Sequence, residues 1–205
     1  MIQTKTIQTE GALRSTIQRR LKAKNKRFKA LTKPKQRIAI ARDVIAQLKA
    51  GKFSATSIYF DFGGPSEYVL GTSAAVEANM DMSECIAQTS CQVCGIGGLF
   101  ASAVLNADHL PVADFFDRDM PLRQFEVNYL KKWFSVNQLN LVECFFEKWD
   151  EYKRHDYRIT IEDHVINTSP IFTEGNQNDC LTMIMQNIIS NGGKFDPAKG
   201  RHRYK

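Results

Sequence analysis

Two cysteines three residues apart stand in the run Cys91-Gln-Val-Cys-Gly-Ile-Gly-Gly-Leu-Phe100, and their type and spacing suit several kinds of thiol chemistry. If the run is helical, residues three apart share a face. Both sulfurs could then meet one zinc ion, with Cys85 and His109 nearest to complete four ligands. That spacing matches no familiar zinc module, so no metal is assigned. A redox dithiol needs a strand running into Cys-x-x-Cys and on into a helix, and the residues around the pair give no clear unit of that kind. Cys91 also follows Thr89-Ser90, which suit a helix cap, and a helix N-terminus favours a thiolate. His109 or His164, oriented by Asp108 or Asp163, would then serve as the base of a cysteine-dependent enzyme. Any chain with five cysteines and four histidines offers such combinations. The plainer use, small apolar side chains packing a helix, carries more of the argument.

The other chemistry-bearing groups say less. Glu143 and Glu147 are four apart and Glu162-Asp163-His164 is a polar cluster, so a carboxylate metal site can be drawn. No repeated Glu-x-x-His pattern supports it. Gly63-Gly64-Pro65-Ser66 and Gly95-Ile-Gly-Gly98 lack the Gly-Lys-Ser/Thr of a phosphate loop, and no cofactor is implied. Trp133, Phe134, Phe145, Phe146 and Trp149 recur at helical spacing and read as core more than as a platform for stacking bases.

Charge is the stronger signal. Twelve of the 28 Lys and Arg fall between Gly11 and Arg42, a span without Asp or Glu, while the remaining 16 face 22 acidic residues, a net of −6. A basic segment on a mildly acidic body points to a polyanionic partner for one part of the molecule. Arg14, Arg19, Arg20, Lys22, Lys24, Lys26, Arg27 and Lys29 would surround one helix and could contact several phosphates together, with an affinity that falls with salt. No element for reading bases is evident. A solvated basic face, an arm folded back on the acidic body, or docking on an acidic protein partner are the alternatives.

The elements that would position these groups follow from hydrophobic spacing. Residues 1–10 are polar and expected to fray. Leu13, Ile17, Leu21, Phe28 and Leu31 predict a weakly amphipathic helix over about 12–31, with Lys24 interrupting the stripe. Thr32 and Pro34 restart the chain in a helix over about 35–50, which Gly51 stops. Ile58, Phe60 and Phe62 alternate as a strand that ends at Gly63-Gly64-Pro65. Residues 72–88 read as a loop with a short helix. Residues 90–106 read as one buried helix despite Gly95, Gly97 and Gly98. Residues 109–121 read as a linker. Helices follow over about 122–134 and 136–149, the second opening on Ser135-Val-Asn-Gln138 as a capping box. A second strand over 157–161, a helix over 179–190 closed by Asn191-Gly192-Gly193, and a basic tail complete the chain.

Cys91–Phe100, Phe134–Glu143 and Met185–Phe195, together with Arg37-Ile-Ala-Ile-Ala-Arg-Asp-Val-Ile45, resemble a group of small uncharacterised proteins of bacterial and phage genomes. Their cysteine motif usually reads Cys-x-Val-Cys-Ala-x-Gly-Ala, where this chain has Gly95 and Gly98 for the alanines. The resemblance spans about 35–197. It implies a compact helical fold and a phage or prophage origin, and transfers no activity.

The length of 205 residues and 43% hydrophobic content suit one domain with a real core. No apolar run reaches the ~20 residues of a membrane helix, the opening residues form no signal peptide, and an odd number of cysteines fits reduced thiols. The expectation is therefore a cytoplasmic protein without a membrane partner. Its fold is mainly α, a compact helical domain with a minor β element (α+β is the alternative). Residues 1–34 form a basic arm, 35–197 the globular domain and 198–205 a basic tail. The expected function is non-enzymatic binding, as a phage-encoded modulator of a host nucleic-acid machine whose arm contacts nucleic acid or a nucleoprotein.

Overall fold

The computed structural model describes residues 2–57, 60–63, 80–107, 110–116, 119–147, 158–161, 164–167 and 176–197. Among them the architecture is mainly α with a minor β element. The helices are α1 (Ile2–Lys29), α2 (Lys33–Lys49), α3 (Met82–Gln88), α4 (Gly95–Asn106), α5 (Val112–Phe116), α6 (Leu122–Leu130), α7 (Val136–Glu147) and α8 (Gln177–Ser190). The strands are β1 (Phe53–Ala55), β2 (Asp61–Gly63), β3 (Ser90–Val93), β4 (Arg158–Ile161) and β5 (His164–Asn167).

Helix α4 organises the core. Its composition is small and apolar on every side, and all twelve of its residues are buried. A helix that is hydrophobic all round must be surrounded. Here α2, α3, α6 and α7 pack about it, with β1 and β3 against its start. Ile40, Ala41 and Val44 of α2, Leu130 of α6, Leu139 and Phe145 of α7, and Leu181 and Ile184 of α8 are almost fully buried in the same core. Phe100 is the centre of an aromatic group: it stacks on Phe115 at 5.9 Å and meets Phe60 and Tyr129 edge-on at 5.7 and 5.4 Å.

Three departures from the sequence reading have simple causes. The run 90–106 is not one helix. Its first four residues form β3, the central strand of a sheet ordered β1-β3-β2, parallel to β1 and antiparallel to β2. Four residues are too few for a period to separate strand from helix. Second, the strand expected from Ile58 to Phe62 is represented by β2, with residues 58 and 59 outside the described set, and a further strand, β1, precedes it on the opposite edge of β3. The outer edge of β1 is covered by the first turn of α8, where Asn178 Oδ1 accepts from Ala55 N at 2.7 Å. Third, residues 2–10, expected to fray, continue α1 without a break. No glycine or proline interrupts this stretch.

The Met185–Phe195 stretch closes the fold. Asn176 and Asp179 form a reciprocal capping box at the start of α8. Asn187 near its end accepts from Asp196 N at 2.8 Å and donates to Asp196 O at 2.9 Å. Gln138 does not complete the expected capping box. It receives Phe195 N at 2.7 Å and donates to Phe195 O at 3.0 Å, seating that ring on Phe145. Gly193 (φ 90°) lies so close to α2 that a Cβ would sit 2.7 Å from the Pro34 carbonyl oxygen, so both its dihedral and its contact exclude a side chain.

The two glycines at which the similar motif carries alanine behave differently. A Cβ at Gly98 would touch Leu181, Val44 and Val93 at 3.4–3.6 Å, ordinary contact, whereas one at Gly95 would meet Val142 at 3.1 Å and Phe146 at 3.2 Å. Gly98→Ala is therefore expected to raise stability by about 0.5–1 kcal/mol through helix propensity. Gly95→Ala should give no gain or cost about 1 kcal/mol, because α7 must move. Urea unfolding of the two variants beside the parent checks both; a destabilised Gly98→Ala would contradict the packing described.

Candidate functional site

The eight basic residues singled out in the sequence lie on one helix and divide by what they face. Helix α1 is 28 residues long, about 42 Å at ~1.5 Å per residue. From Arg14 onward it lies against the body. Arg14 Nε donates to Glu84 Oε2 and Gln18 Nε2 to Glu84 Oε1, both at 2.8 Å, fixing α1 to α3. Asn25 donates to the Ala107 carbonyl. Phe28 is buried, edge-on to Trp133 at 5.9 Å. The inward face thus follows the 14-18-21-25-28 spacing, and only its last turns are apolar.

Lys24 is not a flaw in that stripe. Its Nζ donates to Asp43 Oδ1 at 2.8 Å, while Asp43 Oδ2 accepts from Asn106 Nδ2 at 3.1 Å. One carboxylate therefore joins α1, α2 and the end of α4. Of the eight cations, Arg14 and Lys24 are engaged with carboxylates of the body. Arg19, Arg20, Lys22, Lys26, Arg27 and Lys29 are exposed, and Lys33, Lys35 and Arg42 of α2 are exposed beside them.

These cations form two stripes. Lys22, Lys26 and Lys29, at i, i+4 and i+7, border a groove of about 620 Å³ between α1 and the α3–α4 side, which also holds Arg14, Glu84, Leu21, Val104 and Leu105. Arg20, Lys24 and Arg27 border the opposite flank, where two adjoining hollows of about 600 and 400 Å³ open between α1 and α2. Lys35, Arg42, Leu31, Ile38, Ala39 and Ala46 complete that second lining. The sequence showed the cations; it did not show the α2 wall, because nothing local in 33–46 says which face turns towards α1.

The cysteines take a different place from the one expected. Cys91 lies within β3, paired with Phe53 and Phe62, and not at a helix start. Cys94 is the residue at the head of α4, and its sulfur accepts from Gly97 N at 3.4 Å. The strand holds Cys91 and ends at Val93, so the two cysteines lie on different elements. Both thiols are sealed in the core, at 1% exposure each. Burial pushes Cys91 up to about 11 and Cys94 up to about 12. Cys85 also rises to about 12, through burial and then the neighbouring Glu84 and Asp81 carboxylates. The features that make a nucleophile, exposure and a stabilised thiolate, are missing at all three. Asp108, His109 and Asp163 lie outside the described residues, and of His164 only its place in β5 is described.

Among the described residues no group of three His, Cys, Asp or Glu could hold a metal ion. Glu143 is taken up by Arg123, whose Nε and Nη2 both donate to it. Of the aromatics, Trp133, Phe134, Phe145 and Phe146 are buried, as expected of core; Trp149 lies outside the described set. No described helix is long and apolar enough to cross a membrane. A buried carboxylate that the sequence reading passed over is Glu126, fully enclosed on α6 and accepting from Phe60 N at 3.0 Å. No family model, curated protein or solved structure matches this chain.

Two outcomes test this account. Cys85, Cys91 and Cys94 should resist a thiol reagent near neutral pH and react on denaturation. Because their folded values lie above the ordinary 9.0, stability is full below pH 9 and falls as pH rises towards 11–12, where unfolded thiols ionise first. Fast labelling of any of the three in the native chain would contradict their burial. Separately, Glu84→Ala should loosen the first half of α1 by about 1 kcal/mol while sparing the core. Faster amide exchange over 12–20 alone is the expected readout, against global destabilisation as the contrary result.

Proposed function

We propose that this protein is a non-enzymatic binding protein that contacts nucleic acid, or a nucleoprotein, through the exposed cations of α1 and the start of α2. The observation carrying this reading is nine exposed Lys and Arg on α1 and α2 between residues 19 and 42, a stretch without a carboxylate. A rigid array of this kind releases counterions when phosphates bind it, and binding of that type is largely indifferent to base sequence. Helix α1 is held to the body by Glu84, Asp43 and Phe28, so its cations are presented on a fixed scaffold and ordering them costs little on binding.

The docked helix also sets how the reading is tested. Removing residues 1–31 would expose Phe28's site and the α3 and α4 surfaces beneath, so charge substitutions on the outer face are the cleaner probe. Arg14 and Lys24 are positioning residues for the helix, and the contacts are assigned to Arg19, Arg20, Lys22, Lys26, Arg27 and Lys29. A role as a phage-encoded modulator of a host nucleic-acid machine accords with the resemblance of residues 35–197 and belongs to the same proposal.

The test is fluorescence anisotropy with labelled single- and double-stranded DNA and RNA at ~50 and ~200 mM salt. Binding should weaken steeply with salt. The triple variant Arg19→Gln, Lys22→Gln, Lys26→Gln should bind at least ten-fold more weakly, with its salt slope reduced by ~0.7–0.9 for each phosphate that it no longer neutralises. No binding at ~50 mM salt, or an unchanged slope in the variant, would remove this function.

A further inference from the structure

We infer that the cleft between α1 and α2 is a docking site for an acidic amphipathic helix of a partner protein. This goes beyond the nucleic-acid reading: the cleft shares Arg20, Arg27, Lys35 and Arg42 with it and adds an apolar lining between them. The two hollows on this flank share Lys24, Leu31, Ala39 and Asn106, so they form one continuous cleft. Its upper walls are basic: Arg20 and Arg27 on α1 face Lys35 and Arg42 on α2. Between them the lining is largely apolar, from Leu31, Ile38, Ala39 and Ala46, with the Lys24–Asp43–Asn106 cluster at its base. From Arg20 to Leu31 and from Lys35 to Ala46 each wall spans twelve residues, roughly 16 Å or three helical turns.

A largely apolar lining between two cationic walls fits a helix with an apolar stripe and carboxylates on both sides of it. Leu31 and Ile38 are only half-buried and Ala46 is exposed, so covering them would remove apolar surface from water. The one carboxylate in the cleft, Asp43, already holds Lys24 and Asn106 at its base and leaves the walls positive. Leu13 continues this flank: it lies seven residues before Arg20, on the same side of α1, and is 56% exposed, the largest value among the exposed large hydrophobics.

Phosphates would use the walls but gain nothing from the apolar lining. The ring there, Phe28, is buried against Trp133 and offers no face for a base to stack on. Charge complementarity and an apolar lining together therefore favour a peptide over a nucleic acid at this flank, while the Lys22-Lys26-Lys29 stripe lies on the other side of α1.

The experiment uses the full chain and two fluorescein-labelled 14-residue peptides of identical Glu and Leu content. One has its leucines on a single helical face and the other has them scattered. The amphipathic peptide is expected to bind at least ten-fold more tightly than its isomer at ~150 mM salt. Ala46→Glu, at an exposed position, should weaken it at least ten-fold while leaving thermal melting and DNA affinity within about three-fold of the parent. Ile38→Asn, which removes an apolar lining residue and alters no cation, provides the same reading should Ala46→Glu fold poorly. Equal binding of both peptides, no binding of the amphipathic one, or indifference to both substitutions overturns the inference. Displacement of the peptide by duplex DNA, with Ala46→Glu weakening DNA equally, would assign the cleft to nucleic acid instead. Self-association abolished by Ala46→Glu would assign it to a second copy. Absence of DNA binding by the parent chain at ~50 mM salt, with peptide binding retained, would leave this inference standing alone.

Discussion

Helix α4 needs cover on every side, and most of the fold is the means of supplying it. Twelve consecutive buried residues leave no face for water. Its glycines, poor choices for an isolated helix, let α7 come within contact of Gly95 and α8 within contact of Gly98. The head of such a helix is also buried, so its first N–H groups cannot turn to solvent. Cys94 answers part of that demand from inside the core, where a sulfur accepting from Gly97 is cheaper to bury than a carboxylate.

The same demand explains why the groups that look reactive are quiet. Cys91 and Cys94 sit where strand gives way to helix, a geometry that elsewhere hosts thiol chemistry. Here burial raises both, and their value is their small apolar volume. Glu143 is matched by Arg123, and Glu126 receives a backbone N–H from Phe60. Other polar residues hold segments in place: buried Asn187 and half-buried Gln138 each bind a backbone N–H and C=O of the 195–196 segment, and exposed Asn178 accepts from the edge of β1.

Helix α1 stands outside that apolar logic for most of its length. Its inward contacts from Arg14 to Asn25 are chiefly polar, made to Glu84, Asp43 and a carbonyl, and the aromatic anchor comes only at Phe28. Such a helix adds little hydrophobic stability, but it carries charge on a surface of fixed shape. Glu84 and Asp43 of the body supply the carboxylates that hold it, which leaves the cations of its outer face exposed. The division of cations between two flanks follows from the period of 3.6 residues acting on a basic run.

Much of the frame was legible in the sequence. The breaks at Thr32–Pro34 and Gly51, the core role of Phe134, Phe145 and Phe146, and the mainly helical class with minor strands all follow from local spacing and turn residues. So does the concentration of positive charge. What local spacing could not decide was pairing. Residues 90–93 are a strand because β1 and β2 flank them. Lys24 belongs to the docked face because Asp43 is there to receive it. Gln138 reaches across to Phe195 instead of back to its own helix start. Each is a contact between residues far apart in the chain, and a sequence read one segment at a time carries the donors and acceptors without saying which will meet. The sequence alone determined that this protein is a helical domain with a basic segment. Only the tertiary structure decided that the segment is docked, that its cations border two different grooves, and that its cysteines are sealed away.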